Sequence, residues 1–108
     1  MNPVSFVRMA HGDTVGWVEI AFEYFKETRS VMARWKRLVD AGDFERLRED
    51  LHRCKGGASL FGLERLVDLI GDLERASLLE NRELELTVFE SELTAAENAV
   101  RELADSLC

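Results

Sequence analysis

The sequence predicts an all-α protein, namely an antiparallel up-down four-helix bundle with a short extra helix at its N-terminus. Apolar residues recur at helical spacing along most of the chain, and no segment alternates with the two-residue period of a strand. One proline and seven glycines in 108 residues leave few interruptions. Amphipathic helices with short connections bury their apolar faces most simply in such a bundle.

The N-terminal part of the chain predicts two helices. Residues 1–12 contain a short apolar segment behind Pro3, a residue that suits a first helical position, and the short helix is expected to lie across one end of the bundle. Asp13 or Thr14 is expected to cap a long helix that runs to about Ala41. Its apolar stripe, with an interruption at Thr28 and Arg29, consists of Val18, Phe22, Phe25, Met32, Trp35 and Val39.

A very short connection leads to the second long helix. Gly42 suits the end of one helix and Asp43 the cap of the next, so the two helices are expected to be antiparallel. The second long helix covers about residues 44–61, and Gly62 is expected to end or bend it. Its apolar stripe has spacings of 3 and 4 and consists of Phe44, Leu47, Leu51, Cys54, Ala58 and Phe61.

Two more amphipathic helices complete the predicted bundle. The third runs from about Leu63 to residues 77–79, and the polar segment 80–85 is interpreted as a loop or first turn. The fourth begins at residues 86–88 or one turn earlier, where Thr87-Val88-Phe89-Glu90 fits a capping box. Its apolar stripe consists of Leu86, Phe89, Leu93, Ala96, Val100, Leu103 and Leu107.

Composition and charge narrow the classes of function. The content of 46% hydrophobic and 32% charged residues is typical of one packed soluble domain, predicted to cover 1–108, with the bundle in 13–108. A net charge of -7 without a broad basic stripe disfavours nucleic-acid binding. No apolar run is long enough to span a bilayer, no signal-peptide pattern opens the chain, and two cysteines make no disulfide framework. A cytoplasmic protein without membrane contact is expected.

His52 lies on the polar side of the second long helix. On a helical wheel it projects about 130° from the centre of the apolar stripe, so we expect it to face solvent. A glycine inside a helix costs about 1 kcal/mol relative to alanine, so Gly56 beside the histidine suggests the close approach of another macromolecule. Gly57, on the opposite flank, is interpreted as a packing position. The residues that share the face of His52 are Arg48, Lys55, Gly56 and Ser59.

Other kinds of site receive no support from the sequence. His52 and Cys54 project about 200° apart on a helix and cannot chelate one ion, so no metal site is predicted. No glycine-rich phosphate loop is present, so phosphorylation from ATP by this chain alone is not expected. A local basic cluster suits docking to an acidic site on a protein. It consists of Arg46, Arg48, Arg53, Lys55 and Arg65.

With these features the chain resembles the histidine-containing phosphotransfer (HPt) domains, over essentially its whole length and as a free-standing module. The phenylalanine-rich first long helix is one feature that matches the family. The motifs that carry the resemblance are Ala41-Gly42-Asp43 nine residues before the histidine, His52-x-x-Lys55-Gly56, Gly62, and a leucine-rich helix ending in Leu73-Glu74. The sequence departs from the family pattern at Leu51, Cys54 and Gly57, which we expect to affect packing and partner choice rather than identity.

The resemblance implies a phosphorelay carrier without kinase activity of its own. His52 would accept a phosphoryl group from the phospho-aspartate of one receiver domain and pass it to the aspartate of another. Lys55 would support the phosphoryl group, and Gly56 would leave room for the receiver. The implied partners are response-regulator receiver domains and a hybrid sensor kinase, with Mg²⁺ bound in the receiver and no cofactor in this chain. Arg48 and Ser59 are interpreted as contacts at the rim of the docking face.

Two other functions remain open at this point. A non-transferring helical adaptor could bind receiver domains or other proteins through the same face. The presence of His52 together with Lys55 favours the carrier, because a pure docking surface needs neither. A dimerising bundle would require a large exposed apolar patch, which the pattern does not contain, so a monomer is expected.

Overall fold

The computed structural model describes residues 3–81, 83 and 86–107, and for residues 3–5 it describes the backbone alone. These residues form five α-helices and no strand, which confirms the all-α class and the short N-terminal helix. Residues 82, 84 and 85 of the predicted loop lie outside the described residues. The helices are α1 (Pro3–Met9), α2 (Thr14–Ala41), α3 (Phe44–Leu60), α4 (Glu64–Leu78) and α5 (Thr87–Ser106).

Short polar residues and glycines define the ends of α2 and the start of α3, as predicted. Asp13 accepts the backbone N–H of Gly16 at 3.0 Å and so caps α2. Asp43 accepts the N–H of Arg46 at 3.2 Å and caps α3. Gly42 lies between the two helices with a φ of 75°, a left-handed conformation that ends α2 without the steric strain of a side chain.

The later helix ends depend less on side chains. Gly62 has a φ of 68° and separates α3 from α4, as predicted. The N-cap of α4 is Leu63 and that of α5 is Leu86, and neither makes a side-chain cap hydrogen bond. The predicted start of the last helix at residues 86–88 is confirmed, but its N-cap is Leu86 and not the Thr87 of the predicted capping box.

The four long helices surround one apolar core. α2 packs against α3 and α5, and α4 packs against the same two helices, in a molecule of 46 × 19 × 18 Å. α1 closes one end, where buried Phe6 stacks on Phe61 with ring centroids 6.3 Å apart. Leu107, predicted to face inward, is 46% exposed because α5 ends at Ser106. None of the described helices combines the length and hydrophobicity that a membrane span requires.

A partly buried ion pair joins α2 to α3. The guanidinium of Arg34 donates two hydrogen bonds to the carboxylate of Asp50, at 2.8 and 2.6 Å. The Asp50 side chain is only 1% exposed, whereas that of Arg34 is 34% exposed. The hydrogen bonds from Arg34 hold the pKa of Asp50 below its ordinary value of 3.8. Because the pair is bidentate, it restricts both the rotation and the register of α3 relative to α2.

Arg34→Ala should destabilise the protein more than Arg29→Ala. The two arginines are equally exposed, but Arg29 pairs with Glu97, whose side chain is 21% exposed and keeps water contact. Removal of Arg34 leaves a buried carboxylate without its cation, which is the more damaging change. Urea denaturation followed by circular dichroism measures both variants. Equal midpoints for the two would contradict the structural importance of the Arg34–Asp50 pair.

The contribution of Asp50 to stability should disappear in acid. Its pKa is lower in the folded than in the unfolded protein, so folding favours the charged form. The stabilisation is complete above the unfolded pKa near 3.8 and is lost as the pH falls through the folded pKa. The difference in free energy of unfolding between wild type and Asp50→Asn should therefore be constant from pH 6 to about pH 5 and shrink below about pH 4. A difference that does not change with pH would argue against this assignment.

Candidate functional site

His52 lies near the middle of α3 and is exposed to solvent, as the helical wheel predicted. The apolar stripe of α3 determines this orientation, because that side of the helix packs against the core. Cys54, two residues further on, is buried, and burial raises the pKa of its thiol to about 11. The thiol therefore stays protonated at neutral pH and acts as a small apolar core residue, which leaves His52 as the exposed nucleophile of this segment.

Lys55, one helical turn after His52, is bound to the neighbouring helix. Its Nζ lies 3.0 Å from Oε1 of Glu74 in α4, in an ion pair with side-chain exposures of 41% and 23%. Residues at positions i and i+3 of a helix are neighbours, with Cβ atoms about 5–6 Å apart. The structure therefore places a half-exposed cation within side-chain reach of the imidazole of His52.

Arg48, one turn before His52, also contacts α4. Its guanidinium donates a hydrogen bond to the backbone carbonyl of Ser77 at 3.1 Å. Ser77 is buried, and its hydroxyl donates to the carbonyl of Glu74 at 2.7 Å. Arg48 thus binds a carbonyl in the last turn of α4, a structural role that the sequence did not indicate. Its role as a partner contact stays a prediction.

The two glycines after His52 have different surroundings. A Cβ added to Gly56 would meet no atom within 4 Å. A Cβ added to Gly57 would lie 2.8 Å from Cδ2 of Tyr24, whose hydroxyl donates to the carbonyl of Cys54 at 2.8 Å. The structure confirms that Gly57 allows α2 and α3 to pack closely, whereas Gly56 leaves open space beside the histidine.

The other predicted site residue, Ser59, is exposed at the edge of a surface groove. The groove has a volume of about 390 Å³ and lies between the end of α3, the start of α4 and Arg8 of α1. The five predicted residues thus lie along one side of α3, but only His52, Gly56 and Ser59 face solvent freely. In the described part of the chain, no group of three or more His, Cys, Asp or Glu residues could hold a metal ion.

The basic cluster predicted around His52 is partly neutralised within the chain. Lys55 is paired with Glu74, and Arg65 lies 3.2 Å from Glu92 of α5. Arg53 is exposed, next to His52. The positive surface that a docking protein would meet is therefore smaller than the sequence suggested, because part of its charge is already compensated across helices.

Sequence reasoning missed the polar contacts that surround the site. Asp50 follows Leu47 by three residues and precedes Cys54 by four, so its place at the edge of the apolar stripe was a usable signal for burial. Nothing in the sequence indicated that Arg34 would reach it. Glu74 was part of the family pattern but received no role, because its partner lies on another helix.

A comparison with protein families gave a match that covers most of the chain. A family model described as "Hpt domain" matches residues 19–106, which include all of α3, α4 and α5 and most of α2. Searches of curated proteins and of solved structures gave no match. The matched range includes His52, Glu74 and Ser77.

Gly56→Ala should raise the free energy of unfolding, whereas Gly57→Ala should leave it unchanged or lower it. Alanine at position 56 meets no neighbour and should gain about 1 kcal/mol from its higher helix propensity. Alanine at position 57 would push against the ring of Tyr24, and overpacking of this kind costs about 1–3 kcal/mol, which exceeds or offsets the same gain. The free energy of unfolding from urea denaturation measures both. If Gly57→Ala stabilises the protein as much as Gly56→Ala, the packing role of Gly57 is wrong.

Proposed function

This chain belongs to the Hpt domain family, and on that premise we propose that it is a phosphorelay carrier whose phosphoacceptor is His52. Hpt domains are histidine phosphotransfer modules of two-component signalling and interact with receiver domains of response regulators. The proposed carrier takes a phosphoryl group from the phospho-aspartate of one receiver and passes it to the aspartate of another. The observation that carries the proposal is the exposed position of His52 on a helix held on both sides by its neighbours.

The transfer needs an accessible imidazole with a free lone pair. The unprotonated ring nitrogen attacks phosphorus, and an N–P bond forms as the P–O bond to the aspartate breaks. The carboxylate leaves with the electron pair of that bond, and the proton on the other ring nitrogen can pass to water. Onward transfer runs the same exchange in reverse on a second aspartate. Imidazole suits this step because it is a nucleophile near neutral pH.

In this proposal the residues around His52 position the reacting groups and neutralise charge. They form no covalent bond to the phosphoryl group themselves. Phosphoryl transfer through a loose transition state depends mainly on positioning and on charge neutralisation. We assign neutralisation on this chain to Lys55, which is half-exposed and one turn from His52. Gly56 would allow the surface of the receiver to approach the ring, because it presents no side chain there. Ser59 and Arg48 would contact the receiver at the rim.

The remaining components belong to the partners in this proposal. The receiver would supply the aspartate, the Mg²⁺ and the acidic pocket, and a hybrid sensor kinase would supply the phosphoryl group. This chain would have no autonomous kinase activity, in keeping with the family, whose members are phosphocarriers rather than kinases. We propose further that it works as a cytoplasmic monomer.

An up-down order of the four long helices is part of the proposal, because it places His52 at mid-length of the bundle. Trp17, near the start of α2, lies against Phe61, just after α3, with ring centroids 4.7 Å apart. Arg34, later in α2, pairs with Asp50, earlier in α3. A residue early in α2 thus contacts the end of α3, and a residue later in α2 contacts an earlier part of α3. This order supports an antiparallel arrangement of the two helices.

A non-transferring adaptor remains the second candidate. Lys55 and Arg48 both bind α4, so each has a structural reason to be present that does not involve phosphate. An adaptor would use the same face to bind receiver domains, with His52 as an ordinary contact. The two candidates therefore differ in whether phosphate appears on this chain.

Incubation with a radiolabelled phospho-receiver should label this chain, and His52→Gln should abolish the label. The bond formed should be labile in acid and stable in base, as expected for a phosphoramidate. His11→Asn is the matched control, because His11 is also exposed and its φ of 50° suits asparagine. It should be labelled like the wild type.

Complex formation with the same receiver separates the two candidates. A wild-type chain that binds the receiver but takes up no label would contradict the carrier and favour the adaptor. Label that persists in His52→Gln would show that His52 is not the acceptor.

A further inference from the structure

The Lys55–Glu74 ion pair ties the proposed phosphate-supporting cation to an anion of the same chain. Glu74 is the more buried partner, at 23% exposure, and its main chain is held by the hydroxyl of Ser77. Lys55 is 41% exposed and has a flexible four-carbon stem. In this pair the ammonium group is therefore the more exposed partner and the one with more freedom to move.

A phosphoryl group on His52 would compete with Glu74 for this ammonium group. A phosphorylated side chain carries a charge of about -1.5 to -2 at neutral pH. Lys55 lies one helical turn from His52, so its ammonium group can reach either the phosphoryl group or Glu74. Arg48, one turn before His52, is bound to a backbone carbonyl of α4, and Arg53, the next residue along the chain, projects about 100° away from His52 on the helix. The competition therefore falls on Lys55.

We propose that Glu74 is a positioning residue that holds Lys55 in the unphosphorylated state and so lowers the stability of phospho-His52 relative to the phospho-aspartate of the receiver. This inference rests on the proposed carrier function. The Lys55–Glu74 pair stabilises the chain while His52 is unphosphorylated, and phosphorylation of His52 weakens the pair. Glu74 thereby favours release of the phosphoryl group to the next aspartate, as a carrier requires.

The test measures how the phosphoryl group is shared at equilibrium between this chain and one receiver. Glu74→Gln keeps the size of the side chain and removes its charge. It should raise the ratio of phospho-His52 to phospho-aspartate by up to about fivefold, the upper end of the range expected for an exposed ion pair. Lys55→Met should lower the ratio. Glu92→Gln is the matched control: Glu92 is 21% exposed, also pairs with an α4 cation, Arg65, and should leave the ratio unchanged.

A double-variant cycle distinguishes positioning from a general effect of charge or stability. If Glu74 acts through Lys55, Glu74→Gln should shift the ratio at least twofold less in the Lys55→Met background than in the wild type. Equal shifts in both backgrounds, or no shift from Glu74→Gln alone, would overturn the inference while the carrier function stands. A wild-type chain that takes up no phosphate would overturn the proposed function itself. Circular dichroism of each variant confirms that the ratios refer to folded protein.

Discussion

The orientation of α3 about its own axis is the constraint on which the proposed site depends. An α-helix turns about 100° per residue, so a small rotation of α3 would move His52 towards a neighbouring helix. The apolar stripe opposes such a rotation because it would expose apolar side chains. Polar contacts on both flanks of α3 further restrict its rotational position. On the α2 side, Arg34 binds the buried carboxylate of Asp50. On the α4 side, Lys55 binds Glu74 at 3.0 Å.

These contacts also determine how much charge is available at the site. A buried carboxylate such as Asp50 has to be paired, so Arg34 is committed to the fold and cannot meet a phosphoryl group. Lys55 is in a looser, half-exposed pair and can change partner at low energetic cost. The chain therefore contains a buried-carboxylate pair that positions the helix and a half-exposed pair whose cation would take part in phosphate chemistry under the proposed function.

Much of this arrangement could be predicted from local sequence. Asp13 and Asp43 accept backbone N–H groups within three residues, and Gly42 takes a left-handed conformation, so the helix ends they define needed no tertiary information. The outward direction of His52 followed from its angle to the apolar stripe. Thr28 shows where the apolar pattern alone was insufficient. It interrupts the apolar stripe of α2 in the sequence, yet it is buried among the core residues. Its hydroxyl tolerates burial because it has hydrogen-bond partners at the α2–α3 interface, the side chains of Tyr24 and Cys54.

The sequence alone determined the helical class, the helix ends with side-chain or glycine caps, and the face on which His52 lies, because each depends on residues within one or two turns of each other. Only the tertiary structure decided which cations remain available. Asp50 lies 16 residues from Arg34, and Lys55 lies 19 residues from Glu74. No helical periodicity relates residues on different helices. Their contact depends on how α2, α3 and α4 pack, and that packing pairs Lys55 of the predicted basic cluster with Glu74 while Arg34 and Asp50 join α3 to α2.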